Sequence, residues 1–449
     1  MSAQSSPDSI SRPVGGAEYS WCRAVPGGTG VTVSALRLSK PLNLPLLQTS
    51  IQTLQNSHPI LRSKLRFDPS TNVFSFITPS DPPAVQIQTS DTVQSFISAI
   101  EHEMSSNPWV NSNDNNQVTE TDVMFVSLYS LPEQQWAVVL RLHTAACDRI
   151  AASFLIRELI VLIGGGGERE IVKEDGVGLA IEDCVPPGKA NKPFWARGVD
   201  MVGYSVNAFR FSHLEFKADG SPNSTEIVRL KIGLDDTNRI LSDCKLKGIT
   251  LFGLLAAAAY IAIRASKDLP AEKWEKYSLA ALIDCRSLLD PILSDHHVGF
   301  YHSAVLNSHD IKGGEELWDL AQRIYTSLTT AKNRNKHFTD MADLNFLMCK
   351  AIENPGLTPS STLRASLISV YEEPITEHAN QLHEEIGLLD YICCASVHGV
   401  SPSLSIFDSI RDGELNCACV YPSPTHSREQ MQDIVDHMKK ILVECSVPQ

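Results

Sequence analysis

The chain has 449 residues, of which 43% are apolar and 20% charged, and its formal net charge at pH 7 is −14. This length exceeds what one hydrophobic core usually supports, so we expect two domains or lobes. The acidic balance excludes the broad basic face that a phosphate-backbone binder needs, so we expect no nucleic-acid partner.

Targeting signals and cysteines bear on where the protein works. The first 30 residues contain no apolar run of the kind found in signal peptides, and the longest apolar run, 249–263, is short for a bilayer span. The eleven cysteines are scattered without a CxxC pair, which is typical of buried thiols in a reducing compartment. We therefore expect a cytoplasmic monomer with no membrane span, no metal site and no bound cofactor.

Strand and helix patterns alternate in the first part of the chain. The predicted elements are a strand at 31–39, a helix that ends before Pro59, strands at 61–68 and 72–78, a helix at 92–104, a hairpin of 123–131 and 135–142, and a helix at 149–163. The second hairpin strand is nearly all apolar, so we expect it to lie in the middle of its sheet. Four glycines from Gly164 end the last helix.

Residues 164–222 have no clear period and are predicted to be a crossover connection, partly helical near 199–209. The elements predicted after it are a strand at 225–233, a helix ending at Gly248, a helix capped by Thr250, strands at 277–287, 298–307 and 365–374, two strands within 404–421 that turn at Asp412 and Gly413, and a helix at 426–445. The fold class is therefore α/β (of the α+β type), with an N-terminal lobe at 10–163, a linker at 164–222 and a C-terminal lobe at 223–446.

Six segments occur in an order that resembles a known superfamily. They are SHPILRSKLRF (57–67), RLHTAACD (141–148), GITLFGLLAAAA (248–259), LIDCRSLLDP (282–291), VGFYHSAV (298–305) and DGELNCACVYP (412–422). Together they resemble the chloramphenicol-acetyltransferase-like superfamily, which includes condensation domains of peptide synthetases, CoA-dependent acyltransferases and the plant BAHD acyltransferases. The resemblance implies two similar lobes of sheet and helix that face each other across a channel. It also implies transfer of an acyl group, with acyl-CoA as the co-substrate, to a hydroxyl or amine of a small-molecule acceptor.

The motif that carries the chemistry in this superfamily, His-His-x-x-x-Asp-Gly, is degenerate here. With Asp148 aligned on the motif aspartate, His143 is the first histidine, Thr144 occupies the position of the catalytic second histidine, and Arg149 replaces the glycine. A general base needs a group that titrates near neutral pH, as imidazole does and a threonine hydroxyl does not. Thr144 could instead hold a water or a substrate atom, or bond to nearby backbone.

Two interpretations of His143 stay open. Adjacent side chains on an extended strand point to opposite faces, so if position 144 faces the channel, His143 packs inside the lobe as a structural residue. A one-residue slip of the turn would make it a displaced base. Arg149 is expected to be solvated in the first turn of its helix.

Residues elsewhere in the chain complete the candidate site. The resemblance implies that Asp148 shapes the loop by pairing with an arginine of the second lobe, and Asp284-Cys285-Arg286 matches the family's Asp-x-Arg segment, so an Asp148–Arg286 pair is predicted. Three histidines beside a strand that lines the channel in the resembled fold are candidates for a relocated base: His296, His297 and His302. They lack a third ligand at metal-like spacing.

Two functions of different class follow. The first is an acyltransferase that relies on orientation in the channel, with His143 or a relocated histidine as base. The second is a catalytically silent relative that keeps the channel to bind a small molecule or a protein, because Thr144 stands where the catalytic histidine should be.

Overall fold

The structure, a computed structural model, describes residues 9–81, 83–110, 118–165, 173–208, 210–216, 221–354, 366–378 and 380–445. The chain forms two compact units that interleave along the sequence. The first unit comprises Met1–Cys184, Arg286–Tyr301 and Asn380–Ser396, and the second comprises Val185–Cys285, His302–Ala379 and Val397–Gln449. The lobes predicted from the sequence were contiguous, and these units are not.

Both units contain strands and helices. The strands are β1 (Ser9–Pro13), β2 (Thr29–Leu38), β3 (Lys64–Asp68), β4 (Val73–Pro79), β5 (Ile87–Ser90), β6 (Thr119–Asp122), β7 (Met124–Leu131), β8 (Gln135–His143), β9 (Ser224–Ile232), β10 (Glu275–Asp284), β11 (His302–Ile311), β12 (Ile368–Tyr371), β13 (Ile375–Glu377), β14 (Leu388–Val397), β15 (Leu404–Arg411) and β16 (Glu414–Ser423). The helices are α1 (Gly16–Ala24), α2 (Leu44–Ser57), α3 (Phe96–Ser105), α4 (Arg149–Ile163), α5 (Ile181–Cys184), α6 (Phe194–Ala208), α7 (Leu234–Lys247), α8 (Leu251–Ala265), α9 (Leu317–Asn333), α10 (Lys336–Thr339), α11 (Met341–Glu353), α12 (Gln381–Ile386) and α13 (Arg428–Glu444).

The main sheet of the first unit has five strands in the order β14-β2-β8-β7-β5. Strand β8 lies in the middle, as its apolar sequence predicts. The side chains of β2 and β8 alternate between two helical layers. Leu36, Leu140 and Leu142 belong to a core shared with α2 and α4, whereas Arg141 reaches α3 on the other face, where it bonds to Glu103.

A smaller sheet of four strands, in the order β1-β4-β3-β6, completes the first unit. Strands β3 and β4 pair antiparallel with Phe67 opposite Phe74, which confirms the predicted strand pair. These two rings stack with their centroids 4.5 Å apart.

The second unit is built on a seven-stranded sheet. Six strands follow the order β11-β10-β12-β15-β16-β9, and β13 pairs with β15. Strands β15 and β16 join at the predicted turn, where Asp412 and Gly413 have φ angles of 53° and 80°. Positive φ at both central residues is the mark of a type I′ hairpin turn. Helix α8 is almost wholly buried and packs with α9 and α13.

Some sequence expectations differ from the structure. Thr250 is the residue before α8, but its side chain makes no capping bond to the helix. The strand expected at 298–307 begins only at His302, and residues 286–301 belong to the first unit. No strand was predicted at Leu388–Val397, yet β14 forms the edge of the first unit's main sheet.

Within the described ranges, no single helix is long and apolar enough to cross a bilayer; only α7 and α8 taken together, bent by 106°, meet the length and composition required.

Candidate functional site

The candidate site is the loop that follows β8. His143 is the last residue of the strand and pairs with Val31 of β2. The chain then turns tightly, with Ala146 N–H donating to the carbonyl oxygen of His143 at 2.8 Å. The loop ends at Asp148, whose carboxylate accepts the Ala151 N–H at 2.9 Å and so caps α4. The end of β8 and the cap of α4 therefore fix the two ends of the loop, and both depend only on neighbouring residues.

His143 is enclosed in the first unit. Its side chain has no exposed surface, and its ring packs edge-on against Trp109 with centroids 5.1 Å apart. Burial lowers the pKa of His143 to about 3. Nδ1 accepts the Ala145 N–H at 3.1 Å, which assigns the remaining proton of the neutral ring to Nε2. A ring whose accepting nitrogen is already occupied is a poor general base, so this geometry is that of a structural histidine.

Thr144 is also held within the protein. Its Oγ1 lies 2.6 Å from the Gly30 carbonyl oxygen, to which it donates, and 2.6 Å from Thr32 Oγ1. Thr144 has only one hydroxyl proton, so Thr32 must be the donor in the second bond. The side chain is 6% exposed. Its hydroxyl therefore fastens the end of β8 to the start of β2.

Gly30 makes this arrangement possible. Its φ is +91°, and a Cβ there would lie 2.7 Å from the Trp21 ring and 3.2 Å from Thr144 Oγ1. The carbonyl oxygen of Gly30 also accepts the Thr144 N–H at 3.2 Å. Nothing in the sequence connects Gly30 with the loop, because the contact spans 114 residues.

The side chains of His143 and Thr144 point to opposite faces of the sheet. Thr32, the partner of Thr144, lies on the same face of β2 as Ser34, whose hydroxyl donates to Ala152 O in α4 at 3.3 Å. His143 lies on the other face with Arg141, which contacts α3. The alternation of an extended strand thus holds up to the first residue of the turn.

Asp148 is saturated by hydrogen bonds. Arg286 contacts both carboxylate oxygens, with Nη1 2.9 Å from Oδ2 and Nη2 3.1 Å from Oδ1. The Tyr301 N–H donates to Oδ2 at 2.8 Å, and the Asp148 N–H donates to the Gly299 carbonyl oxygen at 3.0 Å. The pair implied by the resemblance is therefore present. Arg286, however, groups with the first unit and not with the second.

A charged cluster around His58 supports the same segment. His58 Nε2 lies 2.8 Å from Glu158 and Nδ1 lies 3.2 Å from Glu174. Burial opposes protonation of the ring, but the hydrogen bonds to the two glutamates outweigh it and raise the pKa of His58 to about 9. The other carboxylate oxygen of Glu174 accepts the Val298 N–H at 3.1 Å. His58 lies in a segment that carries the resemblance, but its partners could not be read from the sequence.

The three candidate relocated bases are divided between the two units. His296 and His297 stack with ring centroids 4.3 Å apart, in the first unit. Ser294 Oγ is 2.6 Å from His296 Nδ1, and the Ser294 N–H donates to His297 Nδ1 at 3.1 Å. Burial and the neighbouring His296 lower the pKa of His297. His302 begins β11 in the second unit, where its ring meets Tyr371 edge-on at 5.7 Å.

Two further residues complete the comparison with the sequence. Asp284 ends β10 opposite His302 and belongs to the second unit, whereas Arg286 belongs to the first. Arg149 is buried, with 5% exposure, which corrects the expectation of a solvated side chain. Among the described residues no group of three or more His, Cys, Asp or Glu side chains is arranged to hold a metal ion.

Comparisons with known proteins agree with this architecture. Residues 207–354 match the family model described as alcohol acetyltransferase. No curated protein matches the sequence.

Three solved structures cover the whole fold. Trichothecene 15-O-acetyltransferase TRI3 from Fusarium sporotrichioides has 13% identity and a TM-score of 0.71, over 100% of this chain and 97% of that chain. The EpoB cyclization-docking bidomain of a nonribosomal peptide synthetase from Sorangium cellulosum has 14% identity and a TM-score of 0.68, over 98% of this chain and 86% of that one. Polyketide synthase associated protein 5 from Mycobacterium tuberculosis has 15% identity and a TM-score of 0.66, over 98% and 100%. The chain, with its two sheet-containing units, therefore has the fold of the chloramphenicol-acetyltransferase-like and condensation-domain superfamily.

Proposed function

We propose that the protein is an acyltransferase that moves an acyl group from a coenzyme A thioester to a hydroxyl or amine of a small acceptor. The observation that carries the proposal is the alcohol acetyltransferase match over residues 207–354. The fold shared with an O-acetyltransferase supports it. Because the matched family is named for acetyl transfer, acetyl-CoA is the first donor to test.

The reaction needs a proton to move. The acceptor oxygen or nitrogen attacks the thioester carbonyl, the carbon–sulfur bond breaks, and the acceptor's proton ends on the released thiol of coenzyme A. Neither His143 nor Thr144 is placed to carry that proton. The first has its accepting nitrogen occupied, and the second donates to Gly30. Loss of a general base costs about 100- to 10,000-fold in rate, and orientation of bound reactants can supply as much or more.

The residues that remain from the motif position the backbone and do not react. Asp148 joins the start of α4 to Tyr301 and to Arg286. His58 and Glu174 hold the neighbouring Val298. We propose that this framework keeps the loop in the shape that the acyl-transfer site requires, while the reaction depends on how donor and acceptor are held.

The second candidate function is a silent binding module of the same fold. The observation that favours it is the hydroxyl of Thr144, which is engaged by Gly30 and Thr32 in the position where the family motif has its catalytic histidine. A protein that binds a small molecule or a partner without reacting with it has no need of a base there.

One experiment separates the two functions. The purified protein is offered a panel of acyl-CoA donors with alcohol and amine acceptors, and thiol release is followed beside product mass. Turnover by the parent above that of Asp148→Asn, matched for folded fraction by circular dichroism, supports acyl transfer. Absence of turnover from the parent together with activity in Thr144→His supports the silent module.

The remaining outcomes are also informative. Loss of all activity in His143→Gln with folding intact would show that His143 is a displaced base after all. Thr92→His, a change at an exposed threonine, controls for an added imidazole. Absence of turnover from the parent and from Thr144→His overturns the proposal of acyl transfer.

A further inference from the structure

Helix α6 exposes an unusual number of large apolar side chains. Phe194, Trp195, Val199 and Val202 are 92%, 72%, 65% and 63% exposed. At 100° per residue these four positions and Gly198 fall on one continuous arc of the helix. Scattered single apolar residues on a surface are ordinary, but a contiguous patch of this kind marks a surface that binds something.

The opposite side of α6 is anchored to the second unit. Lys192, just before the helix, lies 2.8 Å from Asp200, 2.7 Å from Asp340 and 2.8 Å from Asp343. The hydroxyl of Tyr204 donates to Asp340 at 2.6 Å. Asp200 and Tyr204 are four residues apart and therefore share a face. This ionic and hydrogen-bonded anchor fixes which side of the helix turns outward.

The exposed charged side chains of residues 185–210, the segment that contains α6, are all basic, whereas the whole chain carries a net charge of −14. Residues 185–210 contain four basic side chains and one acidic one, but Lys192 is also paired with Asp340 and Asp343, which lie outside this range. Lys192 and Asp200 belong to this anchor and are not part of the exposed charge. Lys189, Arg197 and Arg210 are exposed. Asp340 and Asp343 are buried and paired with Lys192, and salt screens charges beyond about 10 Å, so a surface that meets α6 senses mainly these exposed cations.

We propose that the exposed face of α6 docks on an anionic lipid bilayer. The helix would lie in the membrane interface, with its aromatic and valine side chains among the acyl chains and its cations at anionic headgroups, which is how amphipathic interfacial helices bind. A second copy of the chain is the poorer occupant, because symmetric pairing would set cation against cation at the patch and bring two acidic proteins together.

Vesicle flotation with the full-length protein tests the proposal. The parent is expected to float with vesicles of phosphatidylcholine and phosphatidylserine and only weakly with phosphatidylcholine alone. Phe194→Ser with Trp195→Ser should lower the partition coefficient about tenfold or more, because two large apolar side chains are lost from the bilayer. Arg197→Gln should lower it about fivefold, and only on anionic vesicles.

Leu246→Ser provides the matched control, because Leu246 is 80% exposed on a different helix, α7. Its partition coefficient should equal that of the parent. Three results overturn the proposal: no flotation by the parent, equal flotation of the Phe194/Trp195 double variant, or a parent dimer in sedimentation equilibrium that the double variant converts to monomer. The last result would assign the face to a second copy instead.

Discussion

Arg286 binds both carboxylate oxygens of Asp148, with Nη1 2.9 Å from Oδ2 and Nη2 3.1 Å from Oδ1, although the two residues are 138 positions apart in the chain. Each side chain is only 2% exposed. The pair links the start of α4 to the 286–301 segment, which the chain reaches after passing through much of the second unit. The ion pair is therefore one of several contacts that join this segment to the rest of the first unit, together with the Glu174–Val298 hydrogen bond and the Arg157–Asp295 pair.

Removing the charge of Asp148 should be costly. Asp148→Asn keeps an oxygen for the Ala151 N–H but leaves the buried guanidinium of Arg286 without a counter-charge. We expect the free energy of unfolding to fall by about 3–5 kcal/mol, measured by urea denaturation. Asp295→Asn is the control, because its pair with Arg157 is 2.7 Å long but half exposed and should cost about 0–1 kcal/mol. Equal losses in the two variants would contradict a structural role for the pair.

The hydroxyl of Thr144 should matter for stability. Thr144→Val removes the donor to Gly30 O and the acceptor for Thr32, and we expect a loss of about 1–2 kcal/mol. Thr144→Ser, which keeps the hydroxyl, should lose less. Thr49→Val, at an exposed threonine bonded within its own helix, should stay within about 0.5 kcal/mol of the parent. If Thr144→Val is as stable as the parent in urea denaturation, the hydroxyl does not fasten β8 to β2.

His143 should make the protein sensitive to acid. Its pKa is about 3 in the folded protein and about 6.5 when unfolded, so between these values the unfolded chain binds the extra proton. The contribution of neutral His143 to the free energy of unfolding is then fully present above pH 6.5. It is lost as the pH drops toward 3, by up to about 1.4 kcal/mol per pH unit. The free energy of unfolding of His143→Gln, measured by urea denaturation, should fall less steeply between pH 7 and pH 5 than that of the parent. His102→Gln, at an exposed histidine, serves as control; an unchanged slope in His143→Gln would mean that the ring is not buried as described.

His58 should make the protein less stable at alkaline pH, whereas His143 makes it less stable in acid. Its pKa is raised to about 9 by Glu158 and Glu174 despite burial, so the folded protein holds the proton more tightly than the unfolded chain. The stabilisation is fully present below pH 6.5 and is lost as the pH rises through 9, to a total of about 3 kcal/mol.

His58→Gln measures this contribution. The variant should be less stable than the parent at pH 6.5 and should lose much less stability on going to pH 9.5, as followed by urea denaturation. Glu174→Gln should reduce the alkaline loss in part, because Glu158 still faces the ring. Parallel stability curves for the parent and His58→Gln would show that the imidazole is not charged in the folded protein.

Much of the loop could be predicted because its determinants are local. The alternation of β8 sets His143 and Thr144 on opposite faces, and the aspartate before the apolar stripe of α4 caps that helix. The hairpin at Asp412 and Gly413 is equally local, since both residues adopt positive φ with little strain. These features need only a few neighbouring residues to specify them.

Other features depend on packing between distant segments. Arg149 was expected in solvent by its place in a first helical turn, but the surrounding structure buries it. The apolar run at β14 carries no mark of the sheet it joins, and only the tertiary structure adds it as an edge beside β2. An apolar helix face usually packs inward, but the ion pairs of Lys192 with Asp200 and Asp340 fix the opposite side of α6 and leave its apolar face exposed.

The sequence by itself determined the class of fold, the opposite directions of the side chains at positions 143 and 144, and the absence of a histidine where the resembled motif has its catalytic one. Only the tertiary structure decided that His143 packs against Trp109 and that the Thr144 hydroxyl is hydrogen-bonded to Gly30 and Thr32. It also decided that Arg286 pairs with Asp148 within the first unit. The physical reason is range: side-chain direction follows from the dihedral angles of a few consecutive residues, whereas burial and pairing depend on which remote segments pack together.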